Sequence, residues 1–342
     1  MPLGTLNVAL SNFAKQFRNN ALVGDTLAPR VPVEHQSYQY VVWNRDDFRV
    51  PASTQRAPGD PAATTRRGYS AAPYMCQSHA LKGKVPFESE AYGLNLGFST
   101  KKQLTQQLIN QISLAREVEI ANLMLSTSNF PNGVTLSGTS MWDAYPSTPE
   151  TGTDGSHPIV VVDAYKAILR QAGVQDSEMQ LTLSDPVAVK LRNHPDIIDR
   201  FKFTNTQGGI TDEMLSKAFG VKVVTASAIV LDKGNNASWV WGNNAVLSYA
   251  QPAPTMNDVS CAKTFVWTGS QGDDGRSIPG PMNTIDGYGV QEWIDPDLSA
   301  KTYWESVDWY YGLEVTATET AIPILNAVTA PTMGAVPSDI EG

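Results

Sequence analysis

Cysteine and histidine are scarce in this chain of 342 residues. The two cysteines, Cys76 and Cys261, exclude a disulfide framework and a cysteine-rich zinc site. His35, His79, His157 and His194 are far apart and show no metal-ligand spacing. There is no Walker A pattern, no G-x-G-x-x-G, no H-E-x-x-H, no C-x-x-C and no G-x-S-x-G elbow. Charged residues are only 17%, below the usual quarter, so Asn, Gln, Ser and Thr carry much of the polarity. No apolar run reaches the ~20 residues that a membrane-spanning helix needs. The start, MPLGTLNVALSNFAKQFRNN, lacks the basic-then-apolar order of a signal peptide, so folding in a cytoplasm is expected. With 25 basic and 34 acidic side chains the net charge is −9, which argues against uniform coating of nucleic acid.

What is present is proline (22), glycine (26) and an uneven charge. Residues 1–102 hold 12 basic and 7 acidic side chains, net +5; residues 103–342 hold 13 and 27, net −14. Such asymmetry suggests that the basic part meets an acidic surface or a nucleic acid. Residues 1–36 read as an arm. Leu6 to Phe17 is a short amphipathic piece, and Pro29 and Pro32 set DTLAPRVPVEH extended. SYQYVVW (37–43) reads as a strand, and MCQSHALKGKVP (75–86) as a second. Between them lie some thirty polar, proline-bearing residues, so the pair predicts a long projecting hairpin. A loop of that length needs a job.

Thr100 with Gln103 fits a capping box. Leu104, Leu108, Ile112, Ala115 and Val118 then recur at helical spacing, with no Pro or Gly from Ser99 to Asn129. This predicts a helix over 100–126, ~40 Å long at 1.5 Å per residue, with Gln106, Gln107, Asn110, Gln111 and Glu117 facing solvent or another subunit. Beyond it, Pro158 opens a helix closed by Gly173. MQLTLSD (179–185) reads as an alternating strand, and Asp185-Pro186 starts a helix that breaks at His194-Pro195. Thr211 caps a helix closed by Gly220. VKVVTASAIV and TFVWTG read as strands, SWVW-GNN-AVLSYA as a strand pair turning at Gly242, and TYWESVDWYYGLEVTATETAIPILNAV as a long β region.

Chemistry finds little support. Gly272-Asp273-Asp274-Gly275 lacks the rest of a calcium loop and reads as a solvated turn. Asn236-Ala237-Ser238 matches a glycosylation sequon by pattern alone. The cysteines read as packing residues. Arg45, Arg49, Arg56, Arg66 and Arg67 crowd the projecting loop, interleaved with Asp46, Asp47 and Asp60. Arginine forks grip carboxylates and phosphates. The interleaved acids would repel phosphate, so a protein-contacting loop is favoured over a nucleic-acid-binding one.

Several stretches together carry a family resemblance. DTLAPRVPVEHQSYQYVVWNRDDFRVP (25–51) with RAPGDPA, LAREVEIANLM (114–124), LTLSDPVAVKLRNHPDIIDRFKF (181–203) and GGITDEMLSKAFGVKVV (208–224) resemble major capsid proteins of tailed bacteriophages, of the Hong Kong 97 type. The resemblance implies an α+β fold. Its parts are an N-terminal arm (1–36), an extended β E-loop (37–95), a P-domain (96–156) with a spine helix at 100–126, an A-domain (157–310), and a return strand with tail (311–342). It implies a structural protein without catalytic residues, cofactor or metal, self-assembling as pentamers and hexamers into an icosahedral head around packaged DNA. The DNA would be held only non-specifically, and no membrane is involved. Assembly would occur in the bacterial host cytoplasm, and the product would be the virion. The implied partners are other copies of the chain, a separate scaffolding protein, a portal and, where one exists, a decoration protein. Phe17, Arg18 and Arg30 of the arm, with the five loop arginines, are the candidate intersubunit contacts. In the family's founding example an E-loop lysine forms an isopeptide cross-link. Here no lysine occurs between Lys15 and Lys82, so a shell held without covalent links is expected. The alternatives are an encapsulin-type nanocompartment shell and, from another class, a cytosolic hydrolase using His79 or His194.

Overall fold

The computed structural model describes residues 5–6, 21–42, 55–56, 58–59, 62, 70–149, 153–202, 209–232, 234, 236–268, 270–271, 277–278, 288–297 and 299–330. In chain order the regular elements begin with β1 (Thr5–Leu6), α1 (Gly24–Leu27), β2 (Arg30–Val33), β3 (Ser37–Val42), β4 (Ser70–Met75), β5 (Gln77–Pro86), α2 (Phe87–Asn95) and α3 (Thr100–Met124). They continue with β6 (Val134–Thr135), α4 (Pro158–Gln171), β7 (Met179–Ser184), α5 (Asp185–Arg192), α6 (Pro195–Phe201), α7 (Asp212–Phe219) and β8 (Lys222–Ala226). The last are β9 (Ile229–Leu231), β10 (Ala237–Trp239), β11 (Ala245–Tyr249), β12 (Ala262–Trp267), β13 (Ser270–Gln271), β14 (Ser277–Ile278), β15 (Tyr288–Ile294), β16 (Thr302–Val315) and β17 (Ala321–Leu325).

Two sheets organise the chain. One runs β1-β15-β16-β12-β2, with β5 also paired to β16. The other runs β6-β17-β11-β7-β8. The 14-residue β16 is the axis of the first sheet. β5 pairs along it from Thr302 to Tyr311, while β15 and then β12 share its opposite edge. In the second sheet, Leu181, Leu183, Leu247, Ile322 and Ile324 join one core with Val162 and Leu169 of α4, Leu191 of α5 and Leu215 of α7. Val246, Ala226 and Ala321 face the other way and pack with Ile120, Ala121 and Met124 of α3. The sheet is therefore covered on both faces. This is why β7 is buried at all six positions rather than alternating as MQLTLSD suggests.

The caps follow local chemistry. Thr211 Oγ1 accepts from Met214 N, and Gly220 ends α7 at φ 67°, a left-handed conformation that suits glycine. Pro158 opens α4. His194 caps α6 by accepting from Asp196 N (3.2 Å), so the break at His194-Pro195 starts a new helix.

Four local expectations are corrected. Ser99, one residue earlier than expected, caps α3. The 75–86 run splits at Cys76: β4 pairs with β3, whereas β5 leaves the hairpin to pair with β16. The strands either side of Gly242 do not pair with each other; β10 pairs with β9 and β11 with β7 and β17. On α3, Gln106, Gln107 and Gln111 are exposed as expected, but Glu117 is buried and Ala115 is exposed. The long helix changes partners along its length. Leu108, Ile109 and Ile112 pack on Val307, Trp309 and Tyr311 of β16, whereas Ile120 and Met124 pack on the second sheet, so no single apolar stripe serves both.

Between those two contacts lies a buried polar node. Glu117 accepts from Val23 N (3.1 Å), Gly24 N (2.8 Å) and Trp241 Nε1 (2.8 Å). Burial pushes the Glu117 carboxyl above its ordinary pKa, and the three donors with Arg116 pull partly back. Arg116 donates to Asp25 Oδ1 (2.6 Å), Ala28 O (3.0 Å) and Thr264 Oγ1 (2.7 Å). Burial raises the Asp25 carboxyl, but Arg116 and Arg30 outweigh it and hold it below the usual range.

Replacing Glu117 by alanine strands three buried donors. Such a loss costs about 3 kcal/mol or more. Urea unfolding of the unassembled Glu117→Ala subunit is expected to show that deficit. A change below about 1 kcal/mol would mean that the node is not holding the fold.

Candidate functional site

The candidate contact residues belong to two parts of the chain, the arm and the projecting hairpin; a third part, the corner where β5 leads through α2 into α3, exposes an apolar ridge. In the arm, Arg30 is turned inward. Its Nε and Nη2 donate to both oxygens of Asp25 (2.9 and 2.8 Å), and its guanidinium lies 5.0 Å from the Trp309 ring centroid. Its fork is engaged within its own chain. Arg56 is exposed in the loop. Phe17, Arg18, Arg45, Arg49, Arg66 and Arg67 lie outside the described residues, as does Gly272–Gly275.

Among the described residues the hairpin is fixed at its base. Tyr40, Tyr74 and Cys76 bury against Phe265, with Tyr74 stacked on it at 4.5 Å between centroids. Tyr40 Oη donates to Val315 O (3.1 Å) and Tyr74 Oη to His35 O (3.2 Å). Gln36 and Cys76 tie together twice, through Cys76 N to Gln36 O (2.8 Å) and Gln36 Nε2 to Cys76 O (3.2 Å). Gly312 has no room for a side chain, because a Cβ there would sit 2.5 Å from Met75 O. Beyond this clamp, Ser70 and Ala71 are exposed.

At the corner, Glu90 of α2 accepts from Ser99 Oγ (2.9 Å) and Lys101 N (3.0 Å), securing the start of α3. Lys101 pairs with Glu292 of β15. Glu305 of β16 is buried beneath and accepts from Thr105 Oγ1. The last turn of α2 and the turn after it expose Tyr92, Leu94, Leu96 and Phe98. This apolar ridge escaped the sequence reading, although four large apolar residues at every second position around Gly93 and Gly97 were its visible signal.

Neither histidine proposed for hydrolysis is arranged for it. His79 stacks on Tyr311 at 4.0 Å, and His194 is fully buried as a helix cap whose pKa burial pushes down. His157 Nδ1 meets Asp196 Oδ2 at 2.7 Å, a tie between the start of α4 and α6. Burial raises the Cys76 thiol to about 11 and the Cys261 thiol to about 12, which keeps both protonated. Among the described residues no group of three or more His, Cys, Asp or Glu side chains could hold a metal ion.

No family model matches the chain. A protein of Pseudomonas phage JBD67 named "Major capsid protein" is 26% identical over 316 residues, covering 84% of this chain and 93% of that one. A phage-related protein from Bordetella bronchiseptica RB50 superposes with a TM-score of 0.70 at 24% identity, covering 95% of this chain and 98% of the other. The capsid protein of Cyanophage P-SCSP1u superposes with a TM-score of 0.56 at 11% identity, over 91% and 89%. The fold is the α+β fold of phage capsids of the Hong Kong 97 type.

The corner predicts a pH effect. Burial raises Glu305 to about 7; Thr105 and Lys101 lower it, while Glu292 and Glu90 add to the rise. The folded state thus favours the protonated acid. Stability from this group is full below the ordinary value of 4.5 and is lost as pH rises through about 7. Glu305→Gln is expected to remove that loss, so its melting temperature should gain on wild type between pH 5 and 8. Parallel melting curves across that window would refute the assignment.

Proposed function

We infer that this chain is a major capsid protein, many identical copies of which close into the head of a bacteriophage. The observation that carries this is the extent of the match: the phage coat relative is paired over 93% of its length. The capsid fold spans the chain as well. The chain's role is structural and its location is the virion. An encapsulin shell is the weaker reading, because the curated relative is a phage coat.

The finer assignments are consistent with how segments are held. Residues 1–36 act as the arm, 37–95 as the E-loop, 96–156 as the P-domain, 157–310 as the A-domain, and 311–342 as the return strand and tail. A hairpin clamped at Tyr40, Tyr74 and Phe265 can project a loop that has no core of its own. Copies meet as pentamers and hexamers, helped by a separate scaffolding protein and a portal, in the host cytoplasm. DNA is packaged without sequence contacts, and a net charge of −9 keeps the wall from gripping it. Arg45, Arg49, Arg56, Arg66 and Arg67 meet carboxylates on the neighbour. Each exposed pair is worth only ~0–1 kcal/mol, but every subunit repeats the set, and tethering multiplies weak contacts.

Sedimentation of the protein produced with its scaffold tests the reading. Closed particles are expected, and a stable monomer at high concentration would contradict it. Replacing Arg49, Arg56, Arg66 and Arg67 together by alanine should leave a folded subunit that gives fewer or weaker shells; unchanged yield and shell melting would count against the loop contacts. Mature particles boiled in detergent and reductant should run as one band near 37.1 kDa. A ladder of covalent oligomers would show that cross-links hold the shell after all.

A further inference from the structure

Among the described residues β5 uses one of its two edges, and the hydrogen-bond parity shows which groups the other edge displays. Phe87 N donates to Lys301 O (2.9 Å), and these two stand opposite each other in the register that pairs Pro86 with Thr302. Bonded and non-bonded pairs alternate along an antiparallel ladder. Val85, Gly83, Leu81, His79 and Gln77 are therefore the residues bonded to β16. On the far edge of β16, Asp295 N donates to Thr302 O (3.0 Å), which fixes the complementary parity for β15. It follows that Ser78, Ala80, Lys82 and Lys84 aim their N–H and C=O groups away from β16. Pro86 shares that parity, where a missing N–H costs no ladder bond. Among the described residues these outward groups have no hydrogen-bond partner, and all four residues are exposed.

A ten-residue edge of this kind is ~33 Å of open template. The devices that usually blunt an edge are a bulge, a covering element or charge. Among the described residues the edge has Pro86 at its end and charge along it, as Lys82 and Lys84, with Lys82 resting 5.0 Å from the Trp304 ring centroid. Two lysines repel a basic strand and favour one bearing carboxylates.

We propose that the outer edge of β5 accepts an extended, carboxylate-bearing segment of a second copy of this chain as an added strand. This deepens the shell reading and rests on it. Charge supports the choice of occupant: the edge carries two lysines, while the chain as a whole is at −9 and residues 103–342 are at −14. Connectivity supports it as well. β5 follows the projecting hairpin after the single residue Cys76, so the edge lies beside the segment already assigned to reach neighbours. A lone added strand is weakly bound, and the effective concentration inside a shell is what makes it form.

Hydrogen–deuterium exchange, read residue by residue by fragmentation mass spectrometry, tests the proposal on unassembled subunits and on shells. In subunits the amides of Leu81, Gly83 and Val85 are expected to be protected and those of Ser78, Ala80, Lys82 and Lys84 to exchange freely. In shells the second set should slow by about 100-fold or more. Ala80→Pro and Lys82→Pro remove one outward N–H each and spare the ladder to β16. Both should keep the wild-type circular dichroism and lose at least ten-fold in shell yield. Leu81→Pro, which breaks the inner ladder, shows how a misfolded subunit looks. Outward amides that exchange equally fast in shells, or proline variants that assemble as wild type, would overturn the proposal. If both variants misfold, the exchange comparison alone decides. If the wild type forms no shell, the shell reading fails first and this inference falls with it.

Discussion

Adjacent residues on one helix, Arg116 and Glu117, hold the chain together. Neighbouring side chains on a helix point about 100° apart. The pair therefore reaches two surroundings at once. Glu117 gathers the backbone of Val23 and Gly24 and the indole of Trp241. Arg116 gathers Asp25, the carbonyl of Ala28 and Thr264. One turn of α3 thereby joins the arm, the β12 strand and the Trp241 turn next to the second sheet. Two charges buried side by side are tolerable only because each is surrounded by partners. Arg30 completes the set, since Asp25 would otherwise face only one of the two cations stacked near Trp309.

The rest of the architecture follows from where this node sits. It fixes residues 23–30 on the chain's own long helix, from which β2 continues into the first sheet beside β12. The arm is thus anchored on its own chain, at this node and through the pairing of β1 with β15 and of β2 with β12. The hairpin has the same plan: a buried aromatic base at Phe265 and a polar, arginine-bearing loop beyond it. The loop's own composition, polar and almost bare of large aliphatic residues, offers it no core, and its root at Phe265 is held by the chain itself.

Much of this was legible in the sequence because it is local. The helix at 100–126, its neighbours opened by Pro158 and Thr211 and closed by Gly173 and Gly220, and most strands follow from spacing and cap chemistry that act within a few residues. Pairing was less legible. The strands around Gly242 look like a hairpin, yet each finds a better partner far along the chain. The MQLTLSD pattern reads as alternating, but Gln180 and Thr182 are buried on the arm side, where Gln180 Nε2 donates to Thr26 Oγ1 (2.8 Å). Glu117 looks like a surface acid because nothing local announces donors 93 and 124 residues away. The contact candidates divide likewise. Composition marked the loop arginines as a group, but it could not show that Arg30 is committed to Asp25.

The central claim is that each arm is rooted on its own subunit's long helix, and the proposal built on it is that the loop beyond the hairpin's base reaches other copies. An electron cryomicroscopy reconstruction of the assembled particle at side-chain resolution tests this most directly. The account predicts a closed icosahedral shell in which Val23, Gly24 and Asp25 of each copy contact Glu117 and Arg116 of the same copy, with the projecting loop lying on a neighbour. A shell in which that turn instead docks on the Arg116–Glu117 pair of a different subunit would contradict it, as would a particle whose loops touch only their own chain.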